Sequence, residues 1–184
     1  MQRISKLARL TIILLSAFIL VMVFCGCPYS TGFKVDNEPQ YQVEEAYLGN
    51  WATLTGNENA ELRKAVRMNV TKKSDFEYNL IFTGYFGELN RRNIAYNDTI
   101  KASAFISDVE GRKFLTANIN GENYIAEFRY ESNNISILPL AEHFTTKVIK
   151  SNDELRRSLM LHFKTRLYPL YDEPFCLRNM IRVN

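Results

Sequence analysis

The sequence predicts a mainly β fold: an antiparallel up-and-down meander that curls into a barrel or half-barrel, with one C-terminal helix packed outside. Apolar residues alternate at period two from Tyr47 to Leu140, as in strands buried on one face. Turn signals punctuate the alternation. The strongest is Asn120-Gly121, because both central positions of a type I′ turn need positive φ and these residues tolerate it best. Beyond residue 150 the period changes, and Leu155, Leu159, Phe163 and Leu167 recur every four residues along one helical face.

The chain begins with Arg3, Lys6 and Arg9 and no acidic residue, followed from Leu10 to Phe24 by a run that is apolar apart from Thr11 and Ser16. A basic segment followed by a short apolar one is the layout of a secretion signal. The run is shorter than the roughly 20 residues a bilayer-spanning helix needs, so a signal peptide is the first reading and a transmembrane anchor the second. The run closes on Phe24-Cys25-Gly26-Cys27, which resembles the lipobox of bacterial lipoproteins, with a small residue before the modified cysteine. The resemblance implies cleavage after Gly26, lipid on Cys27 and a cell-envelope location. Because Pro28 and not Asp follows, it also implies the outer membrane. Several acyl chains anchor stably where one is marginal.

Residues 28–46 contain two prolines, turn formers and little periodicity, so residues 27–46 are expected to be a flexible tether and residues 47–184 the folded domain. A first strand is expected near Leu48–Leu54, then Ala65–Val70 with Val66, Met68 and Val70 on one face. Lys72-Lys73-Ser74-Asp75 has a hairpin composition and leads to Phe76–Phe82, with Phe76, Tyr78, Leu80 and Phe82 facing one way. Ile100, Ala102, Ala104 and Ile106 share a face, Glu110-Gly111 turns into a strand near Lys113–Ile119, and Asn120-Gly121 turns into Asn123–Tyr130. Asn133-Asn134 connects onward to Ile135–Leu140. About seven meandering strands result, and curling closed is the simplest way for them to avoid exposed edges. Ser151 and Glu154 form a capping box that starts a helix over residues 152–166, and Pro169 lies beyond its end. A final strand, Phe175–Val183, would put Phe175, Leu177, Ile181 and Val183 on one side.

Gly49-Asn50-Trp51 matches the Gly-x-Trp that opens the first strand of lipocalins, and the layout after it, antiparallel meander, late helix and last strand, is similar to theirs. In that family the tryptophan plugs one end of the barrel and an arginine of the last strand packs over it. The resemblance therefore implies that Trp51 pairs with Arg178 or Arg182 in a structural role.

The chemistry in the sequence is sparse. His143 and His162 lie 19 residues apart, with no Cys or His at metal-ligand spacing near either, so no metal site is expected. No nucleophile elbow, phosphate-binding glycine loop or dinucleotide fingerprint occurs, so neither catalysis nor a cofactor is expected. With Cys27 lipidated and residues 1–26 removed, Cys176 is the remaining cysteine, without an intramolecular partner, and reads as a small buried apolar side chain. Asn69, Asn97 and Asn134 open N-glycosylation triplets, which a bacterial signal makes irrelevant.

The three basic residues of the signal account for the net charge of +3, leaving 20 Lys and Arg against 20 Asp and Glu, so nucleic acid is not an expected partner. The balance is uneven along the chain, and Lys147, Lys150, Arg156, Arg157, Lys164 and Arg166 make the C-terminal part basic. The chain holds 10 Tyr and 12 Phe, enough to line a cavity as well as fill a core. Tyr78, Tyr124 and Tyr130 lie on strand faces, where a buried hydroxyl needs a partner, and are the ligand-binding candidates.

Two functions follow. One is a lipid-anchored module that binds a small apolar or amphipathic ligand in the barrel. The other is a structural lipoprotein that docks on an envelope protein through its basic C-terminal face. The first needs a cavity of about 300 Å³ or more, the second a filled interior.

Overall fold

The computed structural model describes residues 28–53, 66–84, 86, 93–166 and 169–183. The signal segment, Cys27, Leu54, Ala65 and Leu167 lie outside the described residues. The strands are β1 (Ser30–Thr31), β2 (Gly49–Ala52), β3 (Arg67–Lys72), β4 (Tyr78–Thr83), β5 (Thr99–Val109), β6 (Arg112–Ile119), β7 (Glu122–Glu131), β8 (Asn134–Pro139) and β9 (Leu177–Val183). Each strand from β2 to β8 pairs antiparallel with the next. Strand β9 returns to β2 through Trp51↔Arg182 and its neighbours, closing an eight-stranded up-and-down barrel. Strand β1 is an extra strand on β7.

The turn chemistry sets the register. Asn120 (φ 52°) and Gly121 (φ 91°) join β6 to β7, and Glu110 (φ 53°) and Gly111 (φ 79°) join β5 to β6, both with the positive φ of a type I′ hairpin. The β7–β8 turn lies one residue earlier than its Asn-Asn composition suggests, at Ser132 and Asn133, because Glu131 pairs with Asn134. The β3–β4 turn also shifts. Lys72 pairs with Tyr78, which leaves Phe76 in the connection and 38% exposed instead of facing inward.

Alternation holds along β3 and β4, where Met68, Val70, Tyr78 and Leu80 point into the barrel and their neighbours face out. It fails in the middle of β5, β6 and β7, which are buried on both faces. There the inner face packs in the barrel, while Val109, Phe114 and Ile125 on the outer face join a second core with the helix. In β9 the expected set Phe175, Leu177, Ile181 and Val183 does not share a face. Asn179 adopts φ 51° opposite a register shift in β8, so the inward positions become Leu177 and Met180.

Helix α1 (Asn152–Thr165) starts where Ser151 Oγ accepts the Glu154 N–H at 3.1 Å and ends on Arg166 in a left-handed cap at φ 51°. The Glu154 carboxylate turns to the Lys150 N–H, at 2.7 Å, and not to that of Ser151. Leu155 and Leu159 are fully buried in the second core, and Phe163 meets Phe114 with ring centroids 5.9 Å apart.

Residues 28–46, expected as a tether, lie along the barrel. Val35 is 2% exposed, Tyr29 stacks edge-on against Phe144, and Asp36 pairs with Arg156 at 2.6 Å. Tyr29, Phe33, Val35 and Val43 are too irregularly spaced to form a periodic pattern, yet they fall where an irregular segment can bury them.

Candidate ligand-binding site

The two ends of the barrel interior differ. One is plugged by the 3₁₀ turn Glu45–Tyr47 and by Trp51. Gly49, at φ 122°, takes the chain from that turn into β2 in a conformation that side-chain-bearing residues rarely adopt. Trp51 is fully buried, donates its Nε1–H to the Tyr47 carbonyl at 3.0 Å and meets Tyr130 edge-on. The Arg182 guanidinium lies 4.9 Å from the Trp51 ring and donates to the Ala46 carbonyl at 2.7 Å. Arg182, which pairs with Trp51 across β2 and β9, is thus the arginine over the tryptophan. Arg178 instead pairs with Glu173 at 2.8 Å at the surface.

The polar tips of the plug bond to one another. Lys113 Nζ donates to Glu44 Oε1 at 2.7 Å and to the Tyr47 hydroxyl at 2.6 Å. Burial pushes the Tyr47 phenol up to about 12, and its bond to Lys113 offsets only part of that. Burial alone would lower Lys113, but its bonds to Glu44 and Tyr47 outweigh that and raise it. Between plug and barrel centre, next to Tyr47, Met68, Leu80 and Phe128, only about 10 Å³ stays empty, barely room for one water.

At the other end lies a cavity of about 360 Å³. Leu115 and Ile137 form its floor, since they also border the filled centre. Phe82, Ile100, Ala117, Ala126 and Leu177 form its walls, and Phe86, Ile94 and Phe175 its rim. Among the lining residues two inward wall positions carry alanine, Ala117 on β6 and Ala126 on β7. Among the described lining residues no side chain is charged, and the one polar side-chain group is the Tyr124 hydroxyl.

Of the three tyrosines singled out in the sequence, only Tyr124 lines this cavity. Tyr78 and Tyr130 belong to the plug. The Tyr78 hydroxyl accepts the Glu44 N–H at 3.0 Å, and the Tyr130 hydroxyl donates to Asn133 Oδ1 at 2.7 Å. Period-two alternation says which residues face inward but not how far along the barrel each one falls. The signal that sequence reasoning missed is the pair of inward alanines Ala117 and Ala126, small residues where a filled barrel needs large ones.

The remaining polar groups sit outside the barrel. His143 is exposed, and His162 is buried on α1. Among the described residues no three His, Cys, Asp or Glu gather as a metal would require. Cys176 is half-buried, its thiol donates to the Asp172 carbonyl at 3.5 Å, and burial pushes it up to about 11. Glu127, on the outer face of β7, is buried between Arg129 at 2.8 Å and Arg112 at 3.5 Å, and accepts a short hydrogen bond from Tyr171. This network ties the segment after α1 to the barrel wall. In the basic C-terminal part, Lys147, Lys150 and Arg157 line a surface groove beside exposed Val148 and Leu161, whereas Arg156 is taken up by Asp36.

Compared with known proteins, the chain matches no protein-family model, no curated protein and no solved structure.

Proposed function

We propose that this protein is a non-enzymatic lipoprotein of the cell envelope, anchored in the outer membrane through lipid on Cys27, that holds a small apolar or amphipathic molecule in its barrel. The observation that carries the reading is the 360 Å³ cavity with its apolar lining, within the size range of small-molecule sites. A purely structural barrel would gain stability by filling that space, since each buried methylene contributes on the order of 0.8 kcal/mol. The alanines at two inward wall positions, Ala117 and Ala126, forgo that gain. An apolar moiety fits between Ala117, Ala126 and Ile137. No cofactor enters this reading.

The test is native mass spectrometry of the protein purified from its own envelope in mild detergent. A small molecule bound one to one is expected. An empty barrel with a stoichiometric protein partner would favour a second reading, docking on an envelope protein through the groove of Lys147, Lys150 and Arg157, where Val148 is 77% exposed.

A further inference from the structure

The cavity and the membrane-directed segment meet at one place on the molecule. Pro28 lines the cavity and bridges to Ala141. The Tyr29 N–H donates to the Leu140 carbonyl at 2.8 Å. Ser30 and Thr31 then pair with Tyr124 and Asn123, on the stretch of β7 that lies beyond its pairing with β8. This end of the chain is therefore stitched into the cavity wall. Consecutive Cα atoms are about 3.8 Å apart, so Cys27 lies one residue from that wall. Phe24, the last residue of the apolar run, can be no farther from Pro28 than about 14 Å. Whatever fastens this segment to a membrane fastens the cavity end of the barrel to it as well.

Both ends of the barrel carry exposed charge, Glu122 and Glu142 beside the cavity end and Lys72, Lys73 and Asp75 at the β3–β4 turn. The cavity end adds Tyr96, two residues after the rim residue Ile94 and 81% exposed, and tyrosine suits the headgroup level of a bilayer.

We infer that the barrel docks with its cavity rim against the phospholipid surface, so that a ligand passes between bilayer and cavity without crossing water. This rests on the membrane attachment proposed above, but not on whether lipid or an uncleaved helix provides it, nor on the cavity being occupied.

The experiment uses full-length protein reconstituted into phosphatidylcholine vesicles that carry a nitroxide quencher at the headgroup. In a Cys176→Ser background, a fluorophore is attached either at the rim, through Glu122→Cys, or at the plugged end, through Ser74→Cys. Protein with no added cysteine supplies the blank. Both positions are exposed. Quenching is expected to be several-fold stronger at Glu122→Cys than at Ser74→Cys, and unchanged when Ala117→Phe fills the cavity. Equal quenching at the two sites, or stronger quenching at Ser74→Cys, on protein that co-sediments with vesicles would overturn the docking orientation and leave the attachment standing. Failure to co-sediment would overturn both.

Discussion

At the plugged end of the barrel, rings meet rings and polar tips bond to one another, whereas at the cavity end alanines leave room between apolar walls. Tyr47 lies 4.8 Å from Phe128 and 5.2 Å from Tyr130, centroid to centroid, and Trp51 sits under Arg182. At the other end Ala117 and Ala126 line the wall and nothing larger replaces them. The same eight strands thus carry a half that is built to hold the fold and a half that leaves stability unclaimed. A barrel that needed only to stand would repeat the first half. The contrast therefore separates residues that should matter for folding from residues that should matter for binding.

The largest effect is expected from emptying the plug. Trp51→Ala removes a fully buried ring, its hydrogen bond to the Tyr47 carbonyl and the stacking of Arg182. It should destabilise the protein by about 3–5 kcal/mol. Because Trp51 is the only tryptophan, urea unfolding is best followed by far-ultraviolet circular dichroism. A loss under about 1 kcal/mol would mean that the plug does not hold the barrel.

A smaller effect is expected from titrating the plug. Tyr47 has a folded-state value of about 12 against an ordinary 10.0, so the folded protein favours the neutral phenol. Its contribution is fully present below pH 10 and is lost as pH rises toward 12. Lys113, raised by Glu44 and Tyr47 against the effect of burial, loses its contribution in the same direction. Tyr171, also raised to about 12, adds a background outside the plug. Unfolding measured from pH 8 upward should therefore show wild type losing about 1 kcal/mol more than Tyr47→Phe across that window. Parallel curves would contradict the coupling of Tyr47 to Lys113.

The tryptophan and arginine of the plug were legible in the sequence, whereas the tyrosines around them and the cavity were not. Gly49-Asn50-Trp51 marks the plug because a glycine at φ 122° and a buried indole are hard to replace with other residues. The paired positive-φ turns at Glu110-Gly111 and Asn120-Gly121, and the Ser151 cap, are local signals and sit where local rules place them. The misplaced elements were decided by tertiary contacts. Asn179 changes the facing of β9 because of its pairing with β8, and Val35 is buried because α1 and the barrel wall leave a slot for it. The cavity depends on the height of each inward residue in the closed barrel. That height is set by the register of all eight strands together, which no single segment encodes.

A small stability change and the largest functional one are expected from the same variant, and together they test the central claim most directly. Ala117→Phe puts a ring into the cavity from the middle of its wall and should change stability by no more than about 1.5 kcal/mol, because the space to accept it exists. The measurement is a fluorescence titration of wild type, Ala117→Phe and Tyr78→Phe with the uncharged probe N-phenylnaphthylamine. Wild type and Tyr78→Phe, altered only at the plug, should bind the probe saturably at one site with equal affinity, and Ala117→Phe should lose at least tenfold, about 1.4 kcal/mol. Undiminished binding by a folded Ala117→Phe, or no saturable binding by wild type, would contradict the assignment of the cavity as the ligand site.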